Sequence, residues 1–294
     1  MSLIKGIYAA SLSLINEDFS LNIDETIQHA ENVINNGCHG AVFFGSTGQS
    51  QLISLSEKIQ LINKLPKSPH CDKFIIGTGT NSLVDTINLM KIAMTLGFNK
   101  FLIMPPAYYK YEDNEVINFY TNIINELREA KIILYNFEKL SGYKFSMDCV
   151  KKLVDKFPEQ IVGVKDSSYN LYENLKIDNF SVLPGSESKL LQGLELGCPG
   201  IITATTNVTG SLSREVYENF INNLPQVSNQ KLCAVRSVFD KYNLISSLHT
   251  LMVQRSLLFK NLLPPLRLLN EVEESELLSN LKKLNFNMDV LKAA

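Results

Sequence analysis

The chain carries no marked excess of either charge. Its 28 Lys and Arg stand against 30 Asp and Glu, a formal net charge of −2. Nucleic acid and anionic membrane surfaces are therefore not expected partners. A small anionic substrate needs only local donors and stays open. Cysteine is sparse and unpatterned: Cys38, Cys71, Cys149, Cys198 and Cys233 form no C-x-x-C pair. An odd, scattered set fits reduced thiols in the cytoplasm and argues against a disulfide framework. The histidines His29, His39, His70 and His249 do not cluster, so metal-ligand spacing is missing too. No apolar run approaches the roughly 20 residues of a membrane span. The opening Met1-Ser2-Leu3-Ile4-Lys5 lacks a signal peptide's apolar core and cleavage site. No low-complexity linker and no solenoid-type short repeat is visible.

What is present is an alternation. Short apolar runs end in Gly, Pro or small polar residues, and longer helix-like segments follow. The runs are Ile7–Leu12, Gly40–Phe44, Phe74–Gly77, Lys100–Met104, Ile132–Tyr135, Ile161–Val164, Ser181–Leu183 and Gly200–Thr203. Several are nearly continuous in Val, Ile, Leu and Phe, as parallel strands buried on both faces should be. Between them, Asp24–Asn36, Leu55–Leu65, Asp85–Leu96, Glu115–Ala130 and Ser188–Leu196 read as helices. Gly37, Gly97 and Gly197 stand where left-handed helix ends are expected. Eight strand–helix units fit residues 1–220, which predicts an α/β fold of the (β/α)8 barrel type. The rival is a doubly wound open sheet, which favours a Gly-rich phosphate turn after its first strand. Ala10-Ser11-Leu12-Ser13 stands there instead. Residues 221–294 read as a C-terminal helical extension, with Leu263-Pro264-Pro265-Leu266 as a hinge inside it.

Barrel sites lie at the C-terminal ends of the strands. Gly163-Val164-Lys165-Asp166-Ser167-Ser168 ends the sixth run. A Lys pointing into the mouth among apolar neighbours is disfavoured as an ammonium. As a neutral amine it can attack a ketone and form an imine, an electron sink that lets the adjacent C–C bond break or form. The same residue also reads as a strand-end Lys paired with Asp166, and spacing alone does not choose. Leu134-Tyr135-Asn136 ends the fifth run and offers a phenol as proton relay, or a rim aromatic. Phe44-Gly45-Ser46-Thr47-Gly48-Gln49 offers hydroxyls and backbone N–H groups to a carboxylate, or an ordinary glycine-rich turn. Ala107-Tyr108-Tyr109 follows Pro105-Pro106 and reads as a projecting loop or an exposed aromatic turn. Pro184-Gly185-Ser186-Glu187-Ser188 reads as a hydroxyl-binding segment or a helix cap.

Taken together, these segments resemble the dihydrodipicolinate synthase / N-acetylneuraminate lyase superfamily of pyruvate-dependent class I aldolases. The likeness spans essentially the whole chain. Gly45-Ser46-Thr47-Gly48-Gln49 is similar to the family's G-[ST]-T-G-E signature, and Tyr135-Asn136 to its Y-N element. Gly163-Val164-Lys165-Asp166-Ser167-Ser168 is similar to its G-[IV]-K-D-[ST]-S segment, the most specific of the set, and Pro264-Pro265-Leu266-Arg267 is family-like. The resemblance implies that Lys165 forms a Schiff base with pyruvate and that Tyr135 relays protons. It implies that Ser46 and Thr47 hold the pyruvate carboxylate, with Thr47 also in the catalytic set. Tyr108 would join the relay across a subunit contact, and Ile202 would supply a backbone carbonyl. Gly185, Glu187 and Thr203 would face the second substrate. The family's usual assembly is a tetramer of two tight dimers. No metal or organic cofactor is implied, because the imine is the electron sink.

The departures bear on the second substrate. Lysine-pathway synthases carry Y-N-x-P-x-R-[ST]-G, whose Arg clamps a second carboxylate. Here the stretch is Tyr135-Asn136-Phe137-Glu138-Lys139-Leu140-Ser141-Gly142. Leu140 stands at the Arg position, as in neuraminate lyases, and losing a bidentate clamp costs a few kcal/mol of binding. Lys139 is one residue away. Ser13-Leu14-Ile15 replaces the usual Thr-Pro-Phe, and Gln49 the usual Glu. The expectation is an aldolase acting on a 2-oxo-3-deoxy sugar acid or a sialic-acid-like compound. Its rivals are 4-hydroxy-tetrahydrodipicolinate synthase, which condenses pyruvate with aspartate semialdehyde, and a silent 2-oxo-acid-binding relative.

Overall fold

In chain order the elements are β1 (Gly6–Ala10), α1 (Ile23–Asn35), β2 (Gly40–Phe43), α2 (Leu55–Lys64), β3 (Phe74–Gly77), α3 (Leu83–Thr95), β4 (Lys100–Ile103), α4 (Asp113–Glu126) and β5 (Lys131–Asn136). Then come α5 (Glu138–Ser141), α6 (Met147–Lys156), β6 (Ile161–Asp166), β7 (Ser181–Pro184), α7 (Leu190–Glu195), β8 (Gly200–Thr203), α8 (Thr206–Ile221), α9 (Asn229–Phe239), α10 (Leu244–Val253) and α11 (Glu271–Lys283). This computed structural model describes residues 4–287. Met1-Ser2-Leu3 and the last seven residues of the expected extension lie outside that range. Among the described residues no helix is long and apolar enough to cross a membrane.

The strands are parallel and run in the order β7-β6-β5-β4-β3-β2-β1-β8. β7 and β8 lie side by side, so the sheet is nearly closed into the expected barrel. Strand alternation sorts the side chains into two sets. Ala10, Val42, Ile75, Leu102, Ile133, Leu183 and Ile202 face the barrel interior. Their neighbours, such as Ala9, Phe43, Ile76, Leu134 and Ile201, pack outward against the helices. Burying each large apolar side chain contributes roughly 1.5–3 kcal/mol. Gly37, Gly97 and Gly197 have φ of +114°, +91° and +89°, the left-handed ends expected of them.

One unit departs from the expected eight strand–helix repeats. No helix joins β6 to β7. Asp166 organises that connection instead, its Oδ2 accepting the N–H groups of Leu171 and Tyr172 at 2.8 and 3.0 Å. A buried carboxylate thus does the orphan-donor work that a helix would do internally.

The open edges of the sheet are β7 and β8; the first and last strands meet at the paired β1–β8 seam, and two features hold that seam. Asn207 donates to the carbonyls of Ala10 and Ala204 and accepts from Leu12 N–H, so one amide ties both strand ends. Below it, a Cβ on Gly200 would sit 1.9 Å from the Gly6 carbonyl oxygen, which is backbone and cannot yield. Gly200→Ala is expected to cost about 3 kcal/mol, read as a lower urea midpoint with unchanged m-value. An unchanged midpoint would mean the seam opens freely. The helices α9 to α11 close over this end: Val235, Phe239, Leu248 and Leu277 share a buried cluster with Leu12, Leu14, Ala204 and Val208.

Candidate active site

Register brings the fifth and sixth strand ends together. Tyr135 pairs with Lys165, and Asn136 with Asp166. By alternation the first pair points into the barrel and the second outward. Lys165 is 3% exposed and Tyr135 is 4% exposed. Lys165 Nζ lies 3.3 Å from Tyr135 Oη and 4.3 Å from the ring centroid. Tyr135 Oη lies 2.9 Å from Ser46 Oγ. An amine, a phenol and a hydroxyl are therefore in line, which is what proton transfer to a carbinolamine oxygen needs.

The alternative partner for Lys165 is accounted for elsewhere. Asp166 faces the other way, fully buried, and accepts from Asn136 Nδ2 at 2.8 Å. Burial pushes its carboxyl up, and the N–H donors of Leu171 and Tyr172 and the amide of Asn136 pull it back. Among the described residues Lys165 forms no salt bridge.

Beside this triad is a cavity of about 140 Å³, lined by Gly45, Ser46, Gly79, Met104, Tyr135 and Leu140, among others. Ser46 and Thr47 open a 3-10 turn that starts after Gly45, and Thr47 is buried. The first N–H groups of such a turn have no partner within it. Gln49 ends the turn with φ +56°. Its amide donates weakly to the Ser13 carbonyl at 3.4 Å and accepts Leu263 N–H at 2.8 Å. Ser13 Oγ in turn donates to the Gly48 carbonyl at 2.8 Å. Two of the departures from the family pattern, Ser13 and Gln49, thus touch. A glutamate could accept from Leu263 but could not donate to Ser13.

The remaining expected residues are placed as follows. Ile202 is in the interior cluster with Tyr135. Gly185 packs so tightly on Ser167 that a Cβ there would meet its Oγ at 2.2 Å. Tyr108 is 90% exposed, with φ +87°, edge-on to Tyr109, while Lys165 is buried. Glu187 and Thr203 lie behind the barrel wall. Thr203 is one residue past the inward Ile202, and its Oγ1 donates to Glu187 Oε2 at 2.8 Å. The same oxygen takes Arg236 Nη1 at 2.9 Å, and Glu187 is fully buried. Ser186 caps the turn that follows it, the other reading of that segment. Lys139 is exposed, and Glu138 pairs with Lys144.

Arg236 and Lys58 were not anticipated. Arg236 reaches from α9 and holds Glu187 and Asp240. Arg236→Met should cost about 3–5 kcal/mol, because it strands a buried carboxylate. Adding Glu187→Leu should recover most of that loss. An equal deficit in the double variant would assign it to packing alone. Lys58, on α2, is 2% exposed, and burial pushes its amine down to about 8. Its Nζ donates to the carbonyls of Thr78 and Gly79, so it braces the β3 end of the cavity. Neither residue carries a local motif; each is defined by a tertiary partner.

The barrel thus carries a buried amine and a buried phenol at two adjacent strand ends. Residues 3–284 match the Dihydrodipicolinate synthetase family. The chain is 28% identical over 223 residues to an N-acetylneuraminate lyase of Clostridium perfringens, covering 73% of this chain and 76% of that protein. It is 30% identical over 204 residues to a 4-hydroxy-tetrahydrodipicolinate synthase of Oceanobacillus iheyensis, covering 67% of each. Its fold superposes with a TM-score of 0.87 on YagE, a prophage protein of the dihydrodipicolinic acid synthase family from E. coli K12 in complex with pyruvate. That match covers 97% of this chain and 100% of YagE, at 22% identity. The protein is an enzyme of the lyase class. The chain belongs to the Dihydrodipicolinate synthetase family.

Proposed function

We propose that the enzyme makes and breaks a C–C bond between pyruvate and an aldehyde through an imine at Lys165. The observation that carries this reading is the contact of Lys165 Nζ with Tyr135 Oη, 3.3 Å apart and both buried. The Lys165 amine adds to C2 of pyruvate. Tyr135 protonates the carbinolamine oxygen, water leaves, and the protonated imine forms. Loss of a proton from C3 gives an enamine, whose carbon attacks the aldehyde. Hydrolysis then frees the product and the lysine. Ser46 and Thr47 offer hydroxyl and N–H donors to the pyruvate carboxylate. No metal or organic cofactor is called for, because the imine nitrogen takes the electron pair.

The favoured second substrate is the aldehyde released from a 2-oxo-3-deoxy sugar acid or a sialic-acid-like compound. Leu140, an apolar residue, lines the cavity at the expected clamp position and supports this. The competing reading is condensation with aspartate semialdehyde. The exposed Lys139 next to Leu140 favours it, as a displaced cation. In either case the exposed Tyr108 acts in a second copy, within a cytoplasmic tetramer of two tight dimers.

Borohydride treatment with pyruvate should leave one reduced adduct, mapped to Lys165. Turnover of sugar-acid substrates against aspartate semialdehyde then separates the two readings. An adduct with no turnover of any aldehyde would leave only a 2-oxo-acid-binding protein.

A further inference from the structure

A larger cavity than the one at Tyr135 lies away from the strand-end lysine. It is a cleft of about 420 Å³ between α1 and the segment that follows α10. That volume lies within the usual range of small-molecule sites. One wall is apolar, formed by Leu14, Met252, Leu258 and Phe259. The other is the face of α1 that carries Glu25 and His29. These two are four residues apart, so they are neighbours on one helix face.

The hydrogen-bond network fixes which way His29 is protonated. Asn207 Nδ2 donates to the carbonyls of Ala10 and Ala204, so its Oδ1 is the acceptor. That oxygen takes Leu12 N–H and contacts His29 Nε2 at 2.8 Å. Nε2 must therefore carry the hydrogen, and Nδ1 of the neutral ring is a bare lone pair. His29 is 5% exposed. Among the described residues its Nδ1 has no partner, and it is not one of the sealed orphan atoms Thr86 Oγ1, Gln226 Oε1 and His249 Nε2. His29 lines the cleft, and Glu25 lines it one helical turn earlier. Burial holds the ring neutral, pushing it down to about 4 against the hydrogen bond to Asn207. The cation in the lining, Arg255, has a partner of its own.

We propose that this cleft binds a small organic ammonium with an apolar body. An ammonium has three donors and no acceptor. It satisfies the Glu25 carboxylate and the His29 lone pair together, while its alkyl part lies on the apolar wall. Bound there, it touches the residue that holds Asn207, and through it the β1–β8 seam. The site is independent of the imine chemistry.

Calorimetric titration of the full chain with 3-methylbutylamine, leucine and 4-methylpentanoate tests this. The amine should bind, and Lys165→Met should bind it equally. Glu25→Gln, at a half-buried position, should weaken it about tenfold. Leucine binding as well would identify an amino acid as the source of the ammonium. Nitrogen NMR should show the Nδ1 signal of His29 moving on addition of amine. No amine binding, binding of leucine or the acid without the amine, loss of binding in Lys165→Met, or indifference to Glu25→Gln would each overturn the proposal.

Discussion

Lys165→Met protein, treated with pyruvate and borohydride, is expected to gain no covalent mass. Its turnover should fall by a factor on the order of 10⁴ to 10⁶, the scale seen when a covalent nucleophile is removed. Met keeps the length and apolar character of the stem, so the barrel should fold normally. The control is built into the molecule. Lys58 is also a buried amine near the cavity, but its Nζ is held by two carbonyls. Lys58→Met should leave the adduct at Lys165, although it loosens Gly79. An adduct that persists in Lys165→Met and disappears in Lys58→Met would reverse the assignment. Residual trapping shared between the two would argue that neither amine is set apart by its surroundings.

Acid should unfold the protein between about pH 6.5 and 4. Burial pushes His29 and His249 down to about 4. Both are buried side chains, at 5% and 0% exposure. In the unfolded chain they titrate near 6.5. The unfolded state therefore binds the proton first as pH falls. Stability is fully present above 6.5 and is lost progressively down to about 4, by ~3 kcal/mol for each group. His39 moves the same way: burial, then Arg214, push it down to about 4, and its Nδ1 accepts Ile7 N–H only when unprotonated. Asp166 works in the opposite sense, since a raised carboxyl favours the fold at low pH. Urea midpoints at pH 7, 6, 5 and 4 would check the sum. His249→Gln should flatten the profile, and a profile identical to the parent's would remove His249 from the account.

The barrel was legible because its strands are buried on both faces and so read as continuous apolar runs. Lys165 and Tyr135 were legible for a related reason: a polar residue ending such a run has to face the mouth or the helices. What position along the chain does not give is parity. Thr203 stands at a strand end, yet it is one step past Ile202 and so faces the helices. Counting outward and inward residues along Gly200–Thr203 would have found this. Glu187 follows Thr203 behind the wall because Arg236 draws it there, and that Arg lies 49 residues further on. The missing helix between β6 and β7 was hidden similarly. Asp166 supplies its hydrogen bonds, and no propensity scale records a carboxylate acting at a distance.

The pairing of Tyr135 with Lys165 and of Asn136 with Asp166 has one more consequence. A slip of a single residue between these two strands would turn the phenol or the amine to the wrong face. The outward pair resists such a slip, since Asn136 also bonds Asn170 and takes Phe145 N–H. Misregistered barrels would then be chemically mute as well as poorly packed. If Lys165 captures pyruvate as proposed, that capture doubles as a proofreading assay: it would count only those molecules whose fifth and sixth strands are threaded in step.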